Sequence, residues 1–401
     1  MKLYVFNLEN DLALANNDPH FIPPRSARRM AADMCLLPAW WMGKGDVLWG
    51  DARVRDASRR LLDESLGIVP SPVWMDGEPD AALSGVCPWG WSPLLLTALR
   101  RVEVPERLLP SLEWMAAYRR LSGRQTAARW LSAFREEQGG GDGFLAAGYC
   151  GESVVCHREE DIEACLSKWP ETLLKAPWSG SGKGLRLGSG GYVTPLVGWC
   201  RRLLATQGAV TVEPLYEKVL DFAMEFRSDG AGNVYYEGLS LFRTSGQGAY
   251  AGNLLAPESA LRERLVRYVP LASVDRAKEF LLRCLAKEVA GVYEGYCGVD
   301  MMVCRVAGRY VLHPCVELNL RMTMGRVAQC LARRLAVGTE GVYRVVYSAD
   351  SAALQQWAAS RLREAPRRME DGKIVSGYWP LTPVTSDTVY HAYLDVSPVV
   401  I

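Results

Sequence analysis

The chain lacks any apolar run approaching the ~18–20 consecutive residues that a bilayer-spanning helix needs, which argues against a membrane role. Its opening apolar stretch, Met1 to Phe6, is too short for a secretory core and is broken at once by Asn7, Glu9, Asn10 and Asp11. A cytoplasmic protein is expected. Paired cysteines are missing too: the 11 cysteines contain no C-x-x-C pair, which fits neither a disulfide framework nor a zinc ribbon. Cys150, Cys156 and His157 come nearest to a metal cluster, but no second pair stands at ligand spacing, and most of the thiols are expected to be small buried groups. There is no excess of positive charge. Forty-six Lys+Arg against 45 Asp+Glu leave a net charge of +1, whereas proteins that bind nucleic-acid backbones concentrate basic residues on one face; nucleic acid is not an expected partner. The four histidines, His20, His157, His313 and His391, are too dispersed to suggest a Ser–His or Cys–His pair, and His313, next to Pro314, reads as structural. Lysine is scarce as well, nine in all, so a lysine inside a motif is informative.

What is present is an ordinary folded composition, 49% hydrophobic and 23% charged over 401 residues, with room for two or three domains at roughly 100–200 residues each. Residues 2–6 read as a buried strand running into a helix start, an α/β opening, and residues 1 to about 115 are taken as a first α/β domain. Gln125–Phe134 is helical and ends in the flexible run Gly139–Gly143. Strand-like 153–156, helix-like 159–169 closed by Pro170, and strand-like Thr172–Lys175 follow. Phe222, Met224 and Phe226 share one face of a strand that turns at 228–233 into Val234–Tyr236, a hairpin. After an amphipathic helix over 277–289, a second hairpin pairs 299–304 with 310–319 about a turn at Ala307-Gly308. Residues 346–401 carry no usable period, and no internal repeat is present.

Three segments carry chemistry. Leu173-Leu-Lys175-Ala-Pro-Trp-Ser179-Gly180-Ser181-Gly182-Lys183-Gly184 puts a strand-borne lysine before a Gly/Ser loop, which supplies fixed charge and unobstructed backbone N–H groups for phosphate. It is not a Walker A loop, because Pro177 and Gly184 stand where Gly and Ser/Thr are required, nor a G-x-G-x-x-G fingerprint, because Leu185 replaces the third glycine. On the second hairpin, Glu317, Asn319 and Arg321 recur at period two, and the turn brings Asp300 to about the same level. Two carboxylates and an amide oxygen suit Mg²⁺; the alternative is a solvated strand face. Between these lies Val210–Lys218, a strand leading into a connection whose backbone can read an adenine edge.

Taken in order over roughly residues 116–335, these parts resemble the ATP-grasp superfamily, and the opening Phe6–Ala15 looks like the start of a bacterial branch of it. The resemblance implies an N-terminal α/β pre-ATP-grasp domain (1–115), a two-lobed ATP-grasp unit with antiparallel sheets (116–345) whose central subdomain, about 124–212, is mobile, and a C-terminal extension (346–401) packed on the core. It implies ATP and two Mg²⁺ ions. Phosphate would be held by Lys175, by Ser179, Gly180, Ser181, Gly182, Lys183 and Gly184, and by Arg124, which stands where the family has its first lysine and can bind phosphate bidentately. Glu213, Pro214 and Leu215 would take adenine, Glu217 or Asp221 the ribose, and Asp300, Glu317 and Asn319 the metal. The implied reaction is carboxylate–amine (or thiol) ligation through an acyl phosphate, on small-molecule or peptide carboxylates and amines. Arg321 is the first candidate for the acceptor carboxylate, its alternative being a surface ion pair with Glu317; Arg243 is the second. A kinase acting on a hydroxyl, and a regulatory nucleotide-binding protein without turnover, are the rival readings, although the three metal ligands are all present. A homodimer is a candidate assembly.

Overall fold

The computed structural model describes residues 1–65, 67–77, 82–180, 184–189, 193–244 and 250–398. A parallel sheet opens the chain, with strands β1 (Lys2–Val5), β2 (Val47–Trp49), β3 (Val73–Trp74) and β4 (Gly85–Pro88) in the order β3-β2-β1-β4. The first two additions grow on one side of β1 and the last on the other, so the topology reverses between β1 and β4. The loops leaving these two strands are pinned together there: Asn7 donates from Nδ2 to the Gly90 carbonyl at 2.7 Å.

Strands β5 (Val154–Cys156), β6 (Glu171–Lys175), β7 (Leu185–Ser189) and β8 (Val210–Pro214) form an antiparallel sheet in the order β5-β8-β6-β7. Leu174, Val210 and Val212 alternate inward against Ile162 and Trp199 from the helices Glu159–Lys168 and Thr194–Gln207. Pro195 sits in the first turn of the second helix, where its missing N–H costs nothing. Before this lobe, Gly139, Gly140 and Gly141 adopt φ of 94°, 59° and 42° in succession, a left-handed run that only glycine tolerates without strain.

The large sheet has nine strands: β9 (Glu217–Asp229), β10 (Val234–Thr244), β11 (Tyr250–Leu255), β12 (Glu294–Val306), β13 (Arg309–Asn319), β14 (Thr339–Tyr347), β15 (Arg368–Glu370), β16 (Lys373–Pro380) and β17 (Tyr390–Pro398), in the order β13-β12-β9-β10-β11-β14-β17-β16-β15. The β9–β10 turn is closed by Asp229, whose carboxylate accepts the N–H groups of Ala231 and Asn233. At the β12–β13 turn Ala307 and Gly308 both have positive φ, 48° and 76°, the conformation that matches strand twist in a two-residue hairpin. Farther along, the ladder passes from Met302↔His313 to Asp300↔Glu317, so Pro314–Val316 bulge against Met301 alone. Pro314 has no N–H to give the ladder.

The stretch from residue 346, without legible period, holds over its described residues to 398 a helix (Ser351–Glu364) and three strands of this sheet. Their alternation is hidden because both faces are covered: Trp379 and Leu394 pack toward the N-terminal sheet, while Tyr378 and Tyr393 pack on Trp357 of the helix. The N-terminal residues share that core. Trp40 Nε1 donates to the Leu381 carbonyl at 2.9 Å, and Asp33 accepts the N–H groups of Val389 and Tyr390.

Candidate functional site

Directly opposed residues of an antiparallel pair project to the same face. The register therefore puts Asp300 beside Glu317, and Glu225, Gly298 and Asn319 in the neighbouring row. Gly298 leaves the gap that the Glu225 side chain fills, and a Cβ at Gly325 would collide with the same carboxylate. Burial, and then the nearby carboxylates of Glu317 and Glu225, push the Asp300 carboxyl up to about 8. Burial likewise holds Glu225 up to about 7, although Thr323 Oγ1 and Ser240 Oγ donate to it at 2.7 and 3.0 Å. Sequence reasoning missed Glu225. The one signal was an acid inside the apolar run Phe222–Phe226, on the face opposite those phenylalanines.

Lys175 reaches across from β6 to β8, where its ammonium lies 2.6 Å from Glu213, both side chains 5% exposed. Ser153 Oγ donates to the other carboxylate oxygen at 3.0 Å. His313 lies in the same interior with neither ring nitrogen bonded, and burial and then the Lys175 charge push it down to about 3. Pro214 closes β8, and the Leu215 N–H donates to the Glu171 carbonyl at 2.9 Å. Glu217 is exposed and pairs with Arg305 at 3.1 Å, whereas Asp221 holds Lys218 at 2.6 Å and accepts from Thr244 at 3.0 Å.

Of the glycine-rich loop, Ser179, Gly180 and Gly184 are described; Ser181, Gly182 and Lys183 lie outside the described residues. The Ala176 N–H donates to the Gly184 carbonyl at 2.9 Å and closes the base of the loop. Arg124 begins the helix Arg124–Glu137 and is buried. Its guanidinium donates to Ser179 Oγ at 2.8 Å and to the Ala176 carbonyl, and its other nitrogen lies 2.9 Å from Glu317. One side chain thus ties the loop to the acidic strand.

Arg321 lies two residues beyond the end of β13, so the period-two reading of the strand stops at Asn319. Its partner is not Glu317. Nε and Nη2 hold Asp11, in the first turn of the helix Asn10–Asn16 that follows β1, at 3.0 and 2.8 Å, and Nη2 also donates to Asn319 Oδ1 at 2.9 Å. A cleft lined by Asp11, Ser122, Trp178, Ser179, Glu317 and Arg321 joins the three lobes. Arg243 is exposed on β10 and has no ion pair or side-chain hydrogen bond among the described residues. No group of three His, Cys, Asp or Glu stands at metal spacing among the described residues. Cys156 faces Cys165 at 3.9 Å, and His157 is engaged with the Gly208 carbonyl.

No family model and no curated protein matches the chain. Solved structures do. N5-carboxyaminoimidazole synthetase from Staphylococcus aureus, complexed with ADP, is 10% identical over 99% of this chain and 93% of its own, with a TM-score of 0.50. Biotin carboxylase from Campylobacter jejuni, in a nucleotide complex, is 11% identical over 99% of this chain and 87% of its own, at 0.52. The biotin carboxylase domain dimer of Hydrogenobacter thermophilus 2-oxoglutarate carboxylase, holding MgADP, ADP and bicarbonate, gives 11%, 99%, 86% and 0.52. The chain has the ATP-grasp fold that the sequence resemblance implies.

Proposed function

We propose that this chain is an ATP-dependent carboxylate–amine or carboxylate–thiol ligase: ATP phosphorylates a carboxylate, and a nucleophile then displaces phosphate from the acyl phosphate, releasing ADP and phosphate. The observation that carries this is the Arg124 bridge, which brings the phosphate-type loop and the acidic strand to one cleft. The nucleotide complexes of structurally similar proteins support the choice of ATP.

The residues present fit Mg²⁺. Asp300 and Glu317 stand side by side next to the Asn319 side chain, an all-oxygen donor set whose cationic partners in the ligand-free arrangement are the guanidinium groups of Arg124 at Glu317 and Arg321 at Asn319. Bound there, the metal would neutralise triphosphate charge. The chain's own contribution is positioning and fixed charge, which dominate phosphoryl transfer. Arg124 offers its fork at the loop, Lys175 offers the N–H donors that Glu213 leaves free, Glu213, Pro214 and Leu215 take the adenine edge, and Glu217 or Asp221 the ribose. Arg321, with Arg243 as the second candidate, binds the acceptor carboxylate. Within residues 124–212 the small antiparallel sheet and its two helices act as the mobile lobe, and closure keeps water from the acyl phosphate; the segments on either side of Gly139–Gly141 pack together on the large sheet, so the hinge lies after Tyr149.

Incubation with ATP, Mg²⁺, candidate carboxylates and hydroxylamine tests the reading. A hydroxamate with stoichiometric ADP is expected. A stable phosphoester in its place would make the chain a kinase, and nucleotide binding without ADP release under any condition would make it a regulator.

A further inference from the structure

The structure assigns the acceptor seat of this cleft to a small zwitterion, a free α-amino acid or a close analogue with an ammonium and a carboxylate a few ångströms apart. This rests on the ligase reading and names its substrate class.

The Asp11–Arg321 pair joins two lobes that are 310 residues apart in sequence, and both side chains keep about a fifth of their exposure, 20% and 18%. The pair also borders the phosphate-type loop, since a Cβ on Gly180 would lie 3.6 Å from Asp11 Oδ2. A ligand carrying only a carboxylate reaches Arg321 by displacing Asp11, and leaves that carboxylate without its cation in an already acidic cleft. A ligand carrying only an ammonium leaves Arg321 without its strongest partner. Stranding one member of a desolvated, hydrogen-bonded charge pair is the costly event. A zwitterion inserts between the two, carboxylate to Arg321 and ammonium to Asp11, and restores both pairings with no net charge added.

A second observation lies beside this pair, at residues that do not themselves line the cleft. Asn10, 1% exposed, leaves both amide atoms without partners, and Glu9 leaves Oε2 without one. Native interiors rarely tolerate this. The Asn10 amide lies against Gly90, and the adjoining Trp89 carbonyl accepts the Met322 N–H at 2.9 Å, so these unpartnered atoms belong to the junction that carries Arg321. They sit beyond the carboxyl ends of β1 and β4, where the strand order reverses and open parallel sheets place their ligands.

The test is isothermal titration of the full chain, with and without MgADP, against the common free amino acids and their N-acetyl and carboxamide derivatives. At least one free amino acid should bind about tenfold or more tightly than either derivative, a difference equivalent to ~1.4 kcal/mol. Asp11→Asn should erase the preference over the N-acetyl form, and Asp11→Glu should restore part of it; circular dichroism and retained MgADP binding verify folding. Equal binding of the derivatives, an undiminished preference in Asp11→Asn, or no amino-acid binding by a chain that does bind MgADP would overturn the assignment alone. Failure to bind MgADP would overturn the ligase reading, and this assignment with it.

Discussion

Removal of the Arg124 side chain should move two affinities in opposite directions. In the ligand-free arrangement its guanidinium lies 2.9 Å from Glu317 and donates to Ser179 at 2.8 Å, with the residue 7% exposed and Glu317 27%. Breaking a fully buried pair costs roughly 3–5 kcal/mol. Because Glu317 can rehydrate, Arg124→Ala should destabilise the fold by about 2–3 kcal/mol, a loss of several degrees in Tm. Nucleotide loses a charge-assisted partner worth ~1.5–3 kcal/mol, so a non-hydrolysable ATP analogue should bind about 10–100-fold more weakly. The divalent cation alone gains, because the guanidinium that competes for Glu317 is gone. Mn²⁺ titration by electron paramagnetic resonance without nucleotide should therefore show tighter binding in the variant. Arg124→Lys, which keeps the charge and loses the fork, should fall between the two. Unchanged nucleotide affinity, or weaker cation binding in Arg124→Ala, would refute the argument that this residue mediates between loop and metal strand.

Glu317→Ala should lower ADP release by about 10²–10³-fold while circular dichroism stays that of the wild type; undiminished turnover removes the metal assignment. His391 is buried, hydrogen-bonded to Tyr378 and Thr382, and pushed down to about 3 by burial. Its neutral form stabilises the native state fully above about pH 6.5, and that stability is lost as pH falls toward about 3. The stability difference between wild type and His391→Gln, measured by urea unfolding, should accordingly shrink by up to about 1.4 kcal/mol per pH unit below pH 6. Taking the difference cancels Asp300 and Glu225, whose raised values act with the opposite sign, and a pH-independent difference would refute the assignment of a neutral buried imidazole. Gly140→Ala, at φ 59° and ψ 172°, should cost about 1–3 kcal/mol, read as a lower urea midpoint; an unchanged midpoint would argue against a glycine-only conformation there.

Local pattern made part of this site legible. The Ala307-Gly308 turn and the period-two acids pointed to Asp300 at about the level of the acidic strand residues, and the lysine-then-glycine segment pointed to a phosphate-type loop next to a strand; the bulge that sets Asp300 directly against Glu317 was not legible. What could not be read were the pairings made only by tertiary folding. Nothing near Asp11 announces Arg321, and nothing near Lys175 announces Glu213, because their partners come from distant segments. Glu225 sat in a run whose apolar face drew the attention. The final three strands carried no alternation because neighbours cover both of their faces.

The irregularity at Pro314 has a topological consequence. A regular ladder continued from the Ala307-Gly308 turn would set Asp300 opposite Cys315; the two surplus residues of β13 slide Glu317 into that berth. Two is an even number, so the pleat keeps its parity and every later side chain stays on its own side of the sheet. A one-residue insertion or deletion between Pro314 and Val316 would turn Glu317 and Asn319 to the reverse side, uncoupling the acidic residues from the cleft while disturbing few of the strand's hydrogen bonds.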